Sequence, residues 1–256
     1  MERWPRTDLH LHATYYRLTG AQPDMTVANI LRRTKGAGYA TVGIVEHLDT
    51  APKHPLRCLE DLVAEFRTVE RAHSNAPKLY VGAELDYQGA GISIPEAPAL
   101  KERLGLDYYL AAAHGAGEGV SSTQAYVDDH HRRLMGIVTE CPYVDIVAHP
   151  WCGGHAYAAR GLIEMWRFDM VPERYLQAFV DAAVRHGKAI EVNGKALADA
   201  DDPAFVRYLH LLRESGARVT VGSDAHRMER VGFIDALNAM LDRAGLSPQR
   251  LWQPTA

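Results

Sequence analysis

Cysteine is scarce in this chain: Cys58, Cys141 and Cys152 are the only three in 256 residues. An odd number at unrelated spacings builds no disulfide framework. Long apolar runs are missing as well. No stretch approaches the roughly 20 residues that a bilayer-spanning helix needs, and Met1-Glu2-Arg3-Trp4-Pro5 does not read as a signal peptide. The expectation is therefore a cytoplasmic protein with no membrane partner. Neither charge dominates, because 28 Lys+Arg stand against 32 Asp+Glu for a formal net charge of -4. No basic stripe marks a track for long nucleic acids. Pro/Ser-rich linkers and low-complexity segments are absent too, which argues for one domain. With 47% hydrophobic and 23% charged residues the composition is ordinary for a globular fold, and single α/β barrels run to about 250 residues. We place that domain at 1–245 and read 246–256 as a tail without a site signal.

What is present is alternation. Short apolar or β-branched runs near 7–12, 41–45, 79–83, 108–113, 143–148, 189–192 and 218–222 read as strands. Amphipathic stretches near 26–37, 56–74, 95–104, 122–139, 172–186, 203–215 and 232–244 read as helices, with Ser121 or Ser122 able to cap the fourth. Seven strand–helix units in succession imply a parallel sheet with right-handed crossovers. A doubly wound open sheet and a closed barrel both satisfy this pattern.

The residues that end the strands separate the two. Strand one ends in Asp8-Leu9-His10-Leu11-His12, strand two in Glu46-His47, strand three in Glu84 and strand four in His114. Strand five ends in His149-Pro150, strand six in Asn193 and strand seven in Ser223-Asp224-Ala225-His226. In a closed barrel these C-terminal ends converge on one face, whereas an open sheet would string them along an edge. A lone histidine at a strand end is ordinarily a core or loop residue; agreement across six of seven ends outweighs that. Imidazole with carboxylate suits Zn, Mn or Fe. Eight candidate ligands (His10, His12, His47, Glu84, His114, His149, Asp224 and His226) exceed the needs of one tetrahedral ion. They point to two or three divalent ions, with Glu84 suited to bridging. Asp8 and Glu46 fit a supporting role better, accepting hydrogen bonds from ligand imidazoles. His73, His130, His131, His186 and His210 fall on helices, where solvated faces explain them, while His54 and His155 lie in loops after ligand-bearing strands.

In this combination and order the motifs resemble the PHP (polymerase and histidinol phosphatase) metallohydrolases. Ile190-Glu191-Val192-Asn193 and Gly222-Ser223-Asp224-Ala225-His226 look like the stand-alone histidinol-phosphatase-like branch. The resemblance implies a distorted (β/α)7 TIM-like barrel. It implies one ion held by His10, His12, Glu84 and Asp224, a second by Glu84, His114 and His149, and a third at His47 and His226. Many members carry a further His or Gln after the H-x-H, and here 13–18 reads Ala-Thr-Tyr-Tyr-Arg-Leu.

The expected activity is metal-dependent hydrolysis of a small, histidinol-phosphate-like phosphomonoester by metal-activated hydroxide attack on phosphorus. Glu84 and Asp224 would carry the ions, and His226 or His47 would protonate the leaving group. Arg17, Arg160, Arg227 and Asn193 are the candidate substrate contacts, with Tyr15, Tyr16, Trp151 and Tyr157 as possible pocket walls. Three other readings remain. A nucleotide phosphatase or exonuclease-type phosphoesterase uses the same chemistry. An amidohydrolase-like C–N or C–O hydrolase also begins with H-x-H, but its dinuclear members need a strand-four lysine that 108–113 lacks. A non-catalytic metal-binding module would coordinate its ions fully.

Overall fold

The computed structural model describes residues 3–13, 20–50, 55–73 and 77–254. Seven strands pair in chain order, every neighbour parallel: β1 (Thr7–His12), β2 (Thr41–Leu48), β3 (Lys78–Asp86), β4 (Tyr108–Ala112), β5 (Ile146–Val147), β6 (Ala189–Asn193) and β7 (Val219–Gly222). Around them lie α1 (Val27–Gly36), α2 (Leu56–Ala72), α3 (Ala97–Leu104), α4 (Thr123–Glu140), α5 (Gly154–Ala159), α6 (Glu173–Arg185), α7 (Pro203–Ser215) and α8 (Asp235–Arg243).

The seam between β7 and β1 is closed by few bonds. The Asp224 N–H donates to the His10 carbonyl at 2.8 Å and the His12 N–H to the Ala225 carbonyl at 3.1 Å. Asp8 fastens the same seam, its Oδ1 accepting from the backbone N–H of His10 (3.1 Å) and of Ser223 (3.0 Å). The sheet is thus a barrel, not an open doubly wound sheet. Closure is what carries the ends of first and last strands to one centre.

Local chemistry sets the element bounds. Thr26 caps α1 by accepting the Asn29 N–H at 3.1 Å, and Val27, Ile30, Leu31 and Thr34 form its buried stripe. Ser122, of the two candidate serines, caps α4 through the Ala125 N–H. Asp202 caps α7, and Gly216 in the left-handed region (φ 74°) ends it. Several bounds differ from the sequence reading; β2 and β3 run on to Leu48 and Asp86, and two others have a local cause. β5 spans only Ile146–Val147; the Lys188 amine takes the Val144 carbonyl, which a longer strand would have offered to a neighbour, together with those of Cys141 and Pro142 before it. Helix α8 starts at Asp235 rather than 232, after a 3₁₀ turn at Met228–Arg230 and Gly232 at φ 111°. The short helix α5 was not foreseen, since six residues after Gly153 are too few to show a period.

Apolar side chains divide into two populations. The larger lies between the barrel and its helices; each fully buried member such as Phe66 or Phe179 contributes about 1.5–3 kcal/mol. A smaller cluster (Leu9, Val45, Tyr108, Leu110 and Ile146 among them) fills the interior together with Trp252. Gly43 and Gly82 leave space for the Tyr108 ring, since a Cβ on either would collide with it or its backbone. The Tyr108 hydroxyl donates to the Leu9 carbonyl at 2.7 Å. Residues 246–254 are no loose appendage: the Trp252 N–H donates to the Val219 carbonyl at 2.7 Å and the indole packs edge-on to Tyr108, sealing the N-terminal end of the barrel.

Candidate metal centre

At the opposite end, the C-terminal strand ends bring their polar side chains together around Glu84. Register places His47 beside Glu84, since the two are direct partners in the β2–β3 ladder. Oε2 of Glu84 lies 3.0 Å from His47 Nδ1 and 3.4 Å from Nε2 of both His10 and His12. Its Oε1 lies 2.9 Å from His149 Nε2 and 3.2 Å from His114 Nε2. Asp224 Oδ1 faces the same imidazoles at 3.7 Å (His10) and 3.5 Å (His12), and His226 Nδ1 at 3.3 Å. All eight expected ligands therefore share one cluster. A register shift between Asp8 and Leu11 interrupts simple alternation in β1, yet His10 and His12 still meet with Nε2 atoms 3.1 Å apart. Four triads bring ligand atoms within 4.8 Å of one another: His10/His12/Asp224, His47/Glu84/His114, His12/His47/His226 and His10/His149/Glu191.

The cluster is short of positive charge. Burial opposes protonation of His10, yet Glu191, Glu84 and Asp224 together raise its pKa well above the ordinary value. His114 is likewise pushed up to about 10, Glu84 and Asp86 overcoming burial. Burial also opposes ionisation of Glu84 and Asp224, and the surrounding cations hold both well below the carboxylate range. His47 and His226 go the other way, down to about 4 and about 3, through burial and then the neighbouring His12. Neutral rings of that kind suit lone-pair donation more than proton donation.

The residues that support the cluster act only in part as the sequence reading expects. Glu191 accepts the His10 Nδ1–H at 2.8 Å and the His149 backbone N–H at 2.7 Å. The signal was a carboxylate inside an otherwise apolar strand, where burial demands a partner. Lys195 forms an ion pair with Asp224 Oδ2. His130 is buried and accepts the Trp151 N–H at 3.1 Å, which corrects its reading as a solvated helical residue. Asp8 holds backbone N–H groups, not a ligand imidazole.

The proposed substrate contacts divide. Arg227 lines a cavity of about 690 Å³ that opens from Asp224 and His226. Arg160 is exposed at the end of α5 and lines neither this cavity nor the adjoining one of about 140 Å³. Asn193 is fully buried, and its Oδ1 accepts the Lys195 N–H at 2.9 Å at the end of β6. Trp151 is also fully buried and packs against Phe179, not into a pocket. Tyr157 and Cys152 line the smaller cavity; burial raises the Cys152 thiol pKa, so no thiolate ligand is favoured. His155 is paired with Asp199 at 2.7 Å. Arg17, Tyr15, Tyr16 and His54 lie outside the described residues.

No family model matches the chain. A probable histidinol-phosphatase of Schizosaccharomyces pombe is 22% identical over 229 residues, covering 79% of this chain and 71% of that protein. A probable phosphatase of Acetivibrio thermocellus is 21% identical over 248 residues, covering 93% and 87%. Among solved structures, histidinol phosphate phosphatase (HISK) from Lactococcus lactis, complexed with zinc, L-histidinol and phosphate, superposes with a TM-score of 0.67 at 16% identity over 94% of each chain. In sequence the chain is similar to these two phosphatases, and in fold to the histidinol phosphate phosphatase. The barrel has the TIM-like fold of that neighbour, and its strand-end cluster lies where a barrel builds its sites. Among the described residues no helix is long and apolar enough to cross a membrane.

Proposed function

We propose that this chain is a metal-dependent phosphatase that hydrolyses a small phosphomonoester, using two or three divalent ions drawn from Zn, Mn or Fe. The observation that carries the reading is the set of spacings in the cluster. Donor atoms about 2.0–2.2 Å from a tetrahedral ion stand roughly 3.3–3.6 Å from each other. The contacts of His10 and His12 with Glu84, both 3.4 Å, and of His12 with Asp224, 3.5 Å, have that spacing. The cluster also demands positive charge. Glu84 Oε2 and Asp224 Oδ1 are buried without an aligned hydrogen bond among the described residues, and divalent ions satisfy that demand in place of protons on His10 and His114.

His10, His12, Glu84 and Asp224 would hold one ion, and Glu84, His114 and His149 a second. His12, His47 and His226 offer a third position. When bound, such ions supply Lewis acidity toward phosphoryl oxygens and a nucleophile at neutral pH. The chain's own residues supply orientation. Glu191, by taking the Nδ1–H of His10, leaves Nε2 of a neutral ring facing the cluster. Arg133 donates to the carbonyls of His114 and Gly115 and fixes that loop. Lys195 brings an ammonium beside Asp224, where a phosphoryl group would need a counter-charge. In the reaction a water oxygen bonds to phosphorus, the ester P–O bond breaks, and the leaving alkoxide takes up a proton. No lysine stands on β4, so the carboxylated lysine of dinuclear amidohydrolases has no counterpart.

The test joins metal analysis of protein purified without added metal to a phosphate-release screen over small esters, histidinol phosphate and mononucleotides included. Bound divalent metal and release from at least one ester are expected. Glu84→Gln should lower metal content and rate together, the rate by at least about 100-fold. Metal-loaded protein inert toward every ester, or a Glu84→Gln variant with unchanged metal and rate, would refute the reading.

A further inference from the structure

The cavity beside the cluster has a charge that bears on the alcohol half of the ester. Its charged wall consists of Lys195, Arg227 and Arg230 on the positive side and Asp224 on the negative side. Asp224 is already engaged by Lys195 and by the imidazoles, so it offers little to an incoming cation. Arg227 and Arg230 differ from the arginines that brace the fold. Arg6 grips Asp235, and Arg133 grips carbonyls of Tyr87, His114 and Gly115. Neither Arg227 nor Arg230 has a side-chain partner among the described residues.

Backbone geometry pairs the two. Arg227 caps the 3₁₀ turn Met228–Arg230, and the Arg230 N–H donates to the Arg227 carbonyl at 2.9 Å. Arg227 itself is extended, and both residues line the same cavity. Two adjacent guanidinium forks match the oxygens of one carboxylate or phosphate. Phe233, 58% exposed on the same wall, supplies an apolar surface beside them.

We propose that the preferred ester carries a second anionic group on its leaving alcohol, held by Arg227 and Arg230, and that an ammonium on that alcohol is disfavoured. The inference rests on the phosphatase reading and narrows its substrate class. Lys195, through its contact with Asp224, serves the phosphoryl end; the two arginines serve the other end.

The experiment compares initial rates of metal-loaded protein on 3-phosphoglycerate, glycerol 3-phosphate, phosphoethanolamine and histidinol phosphate. It is accompanied by calorimetric binding of the free alcohols glycerate, glycerol and ethanolamine. The carboxylate ester should exceed both ammonium esters in kcat/KM by at least about tenfold, with glycerol 3-phosphate between them. Glycerate should bind more tightly than glycerol or ethanolamine. Arg230→Gln should flatten the ranking and Arg227→Glu with Arg230→Glu should invert it. A folded double variant that retains the original ranking would overturn the proposal. Hydrolysis of all four esters without a charge preference, or a preference for ammonium, would overturn this inference and leave the phosphatase reading standing. Release from none of these esters and none of the broader screen would remove both.

Discussion

Gly222 shows how closely the centre depends on single atoms. A Cβ at this position would strike the Glu191 carboxylate and crowd the Cβ of His10, and real structures do not tolerate such approaches without displacement. Glu191 is the group that orients His10 and anchors the His149 backbone. Gly222→Ala should therefore weaken metal binding by roughly 10- to 100-fold, the range seen when outer partners of ligands are lost, while the far-ultraviolet circular dichroism stays unchanged. Chelator competition measures it; an affinity equal to that of the parent would show that Glu191 does not depend on this space. The sequence pattern located the eight cluster residues, because strand-end position alone brings them to one face. It did not locate the Glu191–Gly222 complementarity, which exists only once β6 and β7 lie side by side.

At the scale of elements, the short strand β5 delivers His149 through an unusual turn. His149 (φ 31°) and Trp151 (φ 67°) both occupy the left-handed side of backbone space, where a non-glycine residue costs on the order of 1–3 kcal/mol. Three hydrogen bonds hold the turn: His149 N–H to Glu191, Trp151 N–H to His130 Nε2 at 3.1 Å, and Cys152 N–H to the His149 carbonyl at 3.2 Å. His130 is suited to accepting because burial, then the charge of Arg133, lowers its pKa to about 3 and keeps the ring neutral. His130→Phe keeps the shape but leaves the Trp151 N–H buried and unpaired, so it should cost about 1–3 kcal/mol. His130→Gln restores an acceptor and should cost less. Urea denaturation midpoints decide it; a Phe variant as stable as the parent would remove the turn-holding role. Helical periodicity placed His130 correctly on α4. It could not separate an inward imidazole from a solvated one, because the partner that justifies burial lies 21 residues away.

For the whole molecule, closure is the decisive property. Alternation of strands and helices left two architectures open, and the convergence of imidazoles favoured one; the seam bonds from Asp224 to His10 and from His12 to Ala225 are its physical form. Sequence reasoning reached the barrel through its chemistry before its geometry. The opposite end was not legible in the same way. Residues 246–254 carry no ligand and show no period, so nothing in their pattern announced that Trp252 completes the interior cluster. Trp252→Ala should cost about 3–5 kcal/mol, as expected when a large buried aromatic is truncated, measured by thermal or denaturant unfolding. A loss below about 1 kcal/mol would mean that the interior is sealed without it.

That plug has a bearing on biosynthesis. All seven strands precede Trp252 in the chain, so a nascent polypeptide can assemble the sheet, and even gather its imidazoles, while the floor of the barrel still stands open to water. Final consolidation must wait until the indole clears the ribosome. Stalling translation between β7 and Trp252 should therefore trap a form readily cut by proteases, although every histidine of the centre has already been made.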